Sequence, residues 1–166
     1  LDKYAFPNLP GVNKPHEANE AVHLDFGLGW RARVLTMQPP RTGSAFPVLV
    51  PQVDPDGNEM DGIRLPEITV PLATVTGWNL RDPSIGASSE RVSFEGSYIR
   101  FAKTEEERKR TNDPRPSIAA RYPAKQDYLR RYAEAVEQLV SMRWILPEDR
   151  EAQMARAEQE WEDAMH

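Results

Sequence analysis

The chain has 166 residues, 39% of them hydrophobic, with 15 prolines, no cysteine and a formal net charge of −5. That length supports one domain with a real core, and the proline content calls for short elements and irregular segments. The negative balance argues against a nucleic-acid surface, and the lack of cysteine excludes disulfides, thiolate chemistry and cysteine-bound zinc.

Residues 1–20 read as an extended arm with turns, Phe6-Pro7-Asn8-Leu9-Pro10-Gly11-Val12, which Phe6, Leu9 and Val12 would dock. From Ala21 to Met37 two strand-like pieces are expected. In the first, Val22, Leu24 and Phe26 alternate with His23 and Asp25. After a bend at Gly27 and Gly29, Trp30, Ala32, Val34 and Thr36 alternate with Arg31, Arg33 and Leu35. Gln38 to Gly43 reads as a loop, and Phe46 to Val53 as an apolar run broken by Pro47 and Pro51. Asp54-Pro55-Asp56-Gly57-Asn58-Glu59 is a strong turn signal, with hairpin-like pieces on either side.

The most β-prone run is Leu65 to Arg81. Pro66 and Pro71 cut it, so short extended pieces are expected rather than one strand. Gly77 marks a bend, followed at once by Trp78, Asn79 and Arg81. Arg81 to Ser93 is loop, and Phe94 to Phe101 is a short strand or an ordered loop. The charged run Lys103 to Thr111 reads as an exposed helical turn or two.

Asp113-Pro114-Arg115-Pro116-Ser117 marks a boundary, beyond which helix formers take over. Ser117 is placed to cap a short helix through Tyr122. Ala124 to Arg143 carries Tyr128, Leu129, Tyr132, Ala135, Val136, Leu139 and Val140 at helical spacing, with Trp144 just beyond. Pro147 fits the first turn of a second helix whose inward residues are Met154, Ala155, Ala157, Trp161 and Met165. The fold expected is α+β: short strands and ordered loops over 1–112, then a helical hairpin over 113–166, the two forming one compact unit. No apolar run reaches membrane-spanning length, no signal peptide stands at the start, and residue 1 is Leu, as in a processed product or a fragment.

The chemistry-bearing candidates are few. Asp54, Asp56, Asn58 and Asp61 resemble the start of a calcium loop, but Glu59 stands where that loop needs Gly and Leu65 where it needs Glu, so a plain turn is expected. A serine hydrolase needs its nucleophile on a tight elbow, commonly Gly-x-Ser-x-Gly, and Gly86-Ala87-Ser88-Ser89-Glu90 lacks the second glycine. His16, His23 and His166 are the only imidazoles, and each reads as a surface residue. No catalytic residue, metal site or cofactor follows. Trp78, Asn79 and Arg81 carry two readings. In one, Trp78 fills the core, Asn79 satisfies a turn and Arg81 pairs with Asp82 or Glu90; in the other, the three line a substrate pocket.

Several longer motifs have a shared likeness. They are the Phe6–Val12 arm, Val48-Leu49-Val50-Pro51-Gln52-Val53 with the Asp54–Glu59 turn, Gly62-Ile63-Arg64-Leu65-Pro66-Glu67, Val70-Pro71-Leu72-Ala73-Thr74, Thr76-Gly77-Trp78-Asn79-Leu80-Arg81, Asp113-Pro114-Arg115-Pro116-Ser117-Ile118 and Arg121-Tyr122. Together they resemble the C-terminal part of the bacterial alpha/beta hydrolase domain-containing proteins. The resemblance implies an accessory portion of a serine hydrolase acting on an ester or amide. The nucleophile and histidine would precede this region, and the remainder of the hydrolase chain would be its partner. The alternative is a freestanding ligand- or protein-binding module without catalysis.

Overall fold

The computed structural model describes residues 4–15 and 21–166. It is an α+β structure with two 2-stranded antiparallel sheets and a C-terminal helical hairpin. The chain forms two compact units, one of His16–Val50 and the other of Asp2–Pro15 with Pro51–His166.

In the first unit, β1 (Val22–Asp25) pairs with β2 (Arg41–Ala45), matching Val22 to Ala45, Leu24 to Thr42 and Asp25 to Arg41. The expected first piece is therefore a strand. Its partner lies instead where a loop was expected, and the second alternating piece is a 3₁₀ turn over Trp30–Ala32. The backbone explains the difference. Gly27 sits at φ 93°, and a Cβ there would lie 2.1 Å from Thr36 Oγ1, so the chain folds back tightly. The amides of Thr36 and Met37 both donate to the Phe26 carbonyl. No residue between 21 and 50 is buried among those described, so apolar alternation had no core to face here.

The second unit holds the core. The Leu65–Arg81 run does not begin extended: α1 (Pro66–Thr69) is a single helical turn. Proline is at home in a first helical turn, where its missing N–H is not needed, and Glu67 suits the positive end of the turn. Local signals of that kind outweigh the β propensity of Ile68 and Thr69. β3 (Ala73–Thr76) then pairs with β4 (Ser97–Arg100) in the register Ala73–Arg100, Thr74–Ile99, Val75–Tyr98, Thr76–Ser97. Pro71 falls outside the ladder.

The charged run forms α2 (Glu105–Thr111). Thr104 Oγ1 accepts from the Glu107 amide at 3.3 Å, and Glu107 Oε2 reaches back to the Lys103 amide at 2.8 Å, a reciprocal cap. In α3 (Ile118–Arg121), Ser117 Oγ accepts from the Ala120 amide at 3.3 Å, the cap expected. α4 (Lys125–Ser141) and α5 (Arg150–Met165) form the hairpin. Tyr128, Tyr132, Ala135, Val136 and Leu139 are buried from α4, and Ala157, Trp161 and Ala164 from α5. Three residues expected to face inward do not. Ala155 and Met165 are exposed, Ala164 taking the inward place, and Trp144 is 58% exposed beyond the end of α4. Arg143, at φ 63°, ends the helix before Trp144 can share its face. Tyr4, Phe6 and Leu9 are buried and Val12 half-buried, so the arm is docked by the residues expected, with Tyr4 added.

Candidate functional site

β3 ends at Thr76, and the chain turns sharply through Gly77 into Trp78. Two hydroxyls hold that turn: Thr76 Oγ1 donates to the Trp78 carbonyl at 2.5 Å and Ser97 Oγ at 2.9 Å. Gly77 itself is not the glycine the turn depends on. A Cβ on Gly77 would come no nearer than 3.9 Å to Glu59 Oε1, whereas on Gly96, across the ladder, it would lie 2.2 Å from the Thr76 carbonyl oxygen. The sharp turn rests on the close backbone approach at Gly96.

Beyond the turn, residues 79–81 run against 90–92. The Val92 amide donates to Asn79 O, and the Arg81 amide to Glu90 O, both at 2.9 Å. Asp82 Oδ1 accepts from the Ser84 amide at 2.8 Å and starts a 3₁₀ turn over Pro83–Ile85. Hydrogen bonding from Ser84, through its side chain first and its amide second, holds the Asp82 carboxyl below its ordinary range. With Gly11–Asn13 of the arm, the segment encloses an open cleft of about 440 Å³, lined by Trp78, Asn79, Arg81, Asp82, Ser88 and Ser97 among others.

The three residues singled out from the sequence thus meet in one cleft. Trp78 is half-buried: its indole N–H donates to Tyr4 Oη at 3.0 Å and its ring stands edge-on to Phe6, centroids 5.2 Å apart. One side of Trp78 therefore anchors the arm. Asn79 gives its backbone carbonyl to the ladder, and its side chain makes no hydrogen bond among the described residues. Arg81 Nε donates to Gly86 O at 3.3 Å. The expected pairing of Arg81 with Asp82 or Glu90 is not made: the Asp82 carboxylate serves Ser84, and Glu90 meets Arg81 through backbone alone.

The Asp54–Glu59 segment is a turn, closed by the Val53–Glu59 bridge. The side-chain oxygens of Asp54, Asp56 and Asn58 are committed to the protein. Asp54 Oδ1 accepts from the amides of Asp56 and Asn58, each at 3.0 Å, and Asp54 Oδ2 from Arg64 at 2.9 Å. Asp56 accepts from both terminal nitrogens of Arg121. Asn58, fully buried, donates to Ala73 O at 3.1 Å and accepts from the Val75 amide at 2.7 Å, so the turn is stitched onto β3. His23 is exposed and lies against Phe46, centroids 4.1 Å apart, while exposed His166 stands 3.5 Å from Glu162. His16 lies outside the described residues. No described serine hydroxyl hydrogen-bonds a histidine.

The residue that sequence reasoning missed is Arg115, read only as part of a boundary. It is 2% exposed, at the heart of the second unit. Its Nε and Nη2 donate to Asp113 at 2.9 and 2.6 Å. Nη1 donates to Thr74 Oγ1 at 2.7 Å and Ile99 O at 2.9 Å, and Nη2 also to Arg100 O at 2.9 Å. The signal that was there is Asp113-Pro114-Arg115-Pro116: two prolines stiffen the backbone around an acid and a base two residues apart.

The profile of the alpha/beta hydrolase domain family matches residues 15–155. No curated protein and no solved structure matches the chain. The matched span takes in the whole Trp78–Asp82 cleft wall and the Asp113–Arg121 segment, which is bonded to β3, β4 and the Asp54–Glu59 turn, and the chain belongs to the alpha/beta hydrolase domain family.

Proposed function

We propose that this chain is the C-terminal accessory portion of a serine hydrolase that cleaves an ester or amide, and that Trp78, Asn79 and Arg81 form part of its substrate-binding wall. One observation carries the reading: the hydrolase family covers residues 15–155, yet the 166 residues contain no Gly-x-Ser-x-Gly elbow. Acyl transfer through serine needs a hydroxyl within hydrogen-bond reach of a base, and the described serines have no histidine partner. The nucleophile and its base then come from the rest of a hydrolase chain, and this region contributes shape and polar contacts. The cleft suits that task, because it presents an aromatic side, an amide and a guanidinium over a volume of about 440 Å³.

The purified chain should neither turn over p-nitrophenyl acetate nor be labelled by a fluorophosphonate. The reading frame upstream of Leu1 should encode a nucleophile elbow. Turnover by the chain alone that a fluorophosphonate abolishes, or a start codon beside Leu1, would overturn the accessory role. The second outcome would leave a freestanding binding module.

A further inference from the structure

Among the described residues, the buried and half-buried arginines find carboxylates. Arg64 pairs with Asp54 at 2.9 Å, Arg108 with Glu105 at 2.6 Å, Arg115 with Asp113 at 2.6 Å, Arg150 with Glu137 at 2.6 Å, and Arg121 with Asp56. Arg81 is the exception. It is half-buried on the cleft wall, and among the described residues no carboxylate lies within 4.0 Å of it. Its Nε is fixed to Gly86 O, which orients the guanidinium plane and leaves both terminal nitrogens without a protein acceptor among those residues. Beside it in the cleft is the Asn79 amide, also without a partner there.

A half-buried guanidinium that is held in place by one bond and denied its usual counter-ion is poised for an acceptor from outside. We infer that the cleft binds a carboxylate carried by its ligand, with Arg81 as a two-pronged donor, Asn79 as a flanking donor and the Trp78 ring beside the carbon chain. The inference rests on the proposed substrate-binding role and adds its chemical class: an ester or amide whose acyl or leaving part bears a free carboxylate. A planar monoanion fits better than a phosphate. Among the described residues that line it the cleft offers one cation, and the Asp82 carboxylate, hydrogen-bonded to the Ser84 amide, lines the same wall and would oppose a dianion more strongly.

The test needs no turnover, so it can fail while the accessory role stands, and the reverse. The full chain, ¹⁵N-labelled, is titrated separately with monomethyl glutarate, dimethyl glutarate and inorganic phosphate. Shifts of the Asn79 side-chain amide and the Arg81 guanidinium are followed. Monomethyl glutarate should give saturable shifts at both residues, and the diester and phosphate should bind at least about tenfold more weakly, the difference expected when a charge-assisted hydrogen bond is lost. Arg81→Gln should weaken the monoester by a similar factor. Arg81→Lys, which keeps the charge but loses the fork, should recover only part. Retained dispersion of the variants' spectra shows that they fold, and Asn79 shifts in Arg81→Lys supply a reading if Arg81→Gln does not. Equal binding of monoester and diester, phosphate binding as tight as the monoester, monoester binding indifferent to Arg81→Gln or Arg81→Lys, or no saturable shift with the monoester would each overturn the inference.

Discussion

Arg115 and Arg81 carry the same guanidinium in opposite circumstances, and the comparison explains both. Arg115 is out of water, and all of its N–H donors are used within the protein, on Asp113, Thr74 and the carbonyls of Ile99 and Arg100. A buried charge is tolerated only when it is paired and fully hydrogen-bonded. Burial alone would push the Asp113 carboxyl up, but hydrogen bonds from Arg115, and its charge, hold it below the usual carboxylate range. Lysine has one charged nitrogen and no fork, so it cannot replace this set of bonds. Arg115→Met, which removes the charge and leaves Asp113 buried without its partner, should therefore destabilise the protein by about 3–5 kcal/mol, the usual effect of breaking a buried ion pair, and Arg115→Lys, which keeps the charge but loses the fork, by less. Urea denaturation measures this, and a midpoint within error of the parent would mean that the network around Arg115 is not holding β3 and β4 to the segment before α3.

At the scale of elements, the helical hairpin stands on the spacing of a few side chains. Tyr128, Tyr132, Ala135, Val136 and Leu139 lie along one face of α4, and Leu139 is 5% exposed there. Trimming it to alanine should cost about 2–5 kcal/mol, the range for emptying a leucine site in a core. An unchanged denaturation midpoint for Leu139→Ala would put that residue on the surface and undo the packing face. The ends of the elements are set more locally. Thr104 and Ser117 cap α2 and α3 through their hydroxyls, and Arg143 leaves α4 in the left-handed region. That left-handed residue is why the apolar stripe stops short of Trp144.

At the scale of the whole molecule, the buried phenols should make the fold sensitive to alkali. Tyr122, Tyr128 and Tyr132 meet Trp161 in one aromatic cluster, with Tyr122 and Tyr128 centroids 5.3 Å apart and Tyr128 and Trp161 also 5.3 Å apart. Burial pushes the Tyr122 phenol up to about 12 from an ordinary value of 10.0, and raises Tyr128 and Tyr132 as well. A phenol whose proton is held more tightly in the folded state contributes its full stability below the unfolded value. That contribution is lost as pH rises from 10.0 through about 12. The urea midpoint should thus fall across that window, and absorbance at 295 nm should show these phenols ionising only as the fold opens. Three phenols titrating near their ordinary value, with a flat midpoint, would contradict the buried cluster. No helix among the described residues is long and apolar enough to cross a membrane.

The sequence by itself determined what depends on neighbours along the chain. The α4 periodicity, the cap at Ser117, the Asp54–Glu59 turn and the docking residues Phe6 and Leu9 are all legible there, because each is a contact within a few residues or a matter of apolar character. It also placed Trp78, Asn79 and Arg81 together, since they are adjacent. Only the tertiary structure decided the rest. The strand β2 has no apolar alternation to announce it; the backbone of β1 chose it as partner. The turn α1 emerged from a run of β formers because Pro66 suits a helical start. Gly96, not Gly77, proved the glycine that the cleft turn requires, since only folding brings it against the Thr76 carbonyl. And adjacency alone does not decide whether an arginine is spent or available: Arg115 pairs with Asp113 two residues away and completes its bonds on strands far away in sequence, whereas Arg81, beside Asp82, found no carboxylate among the described residues.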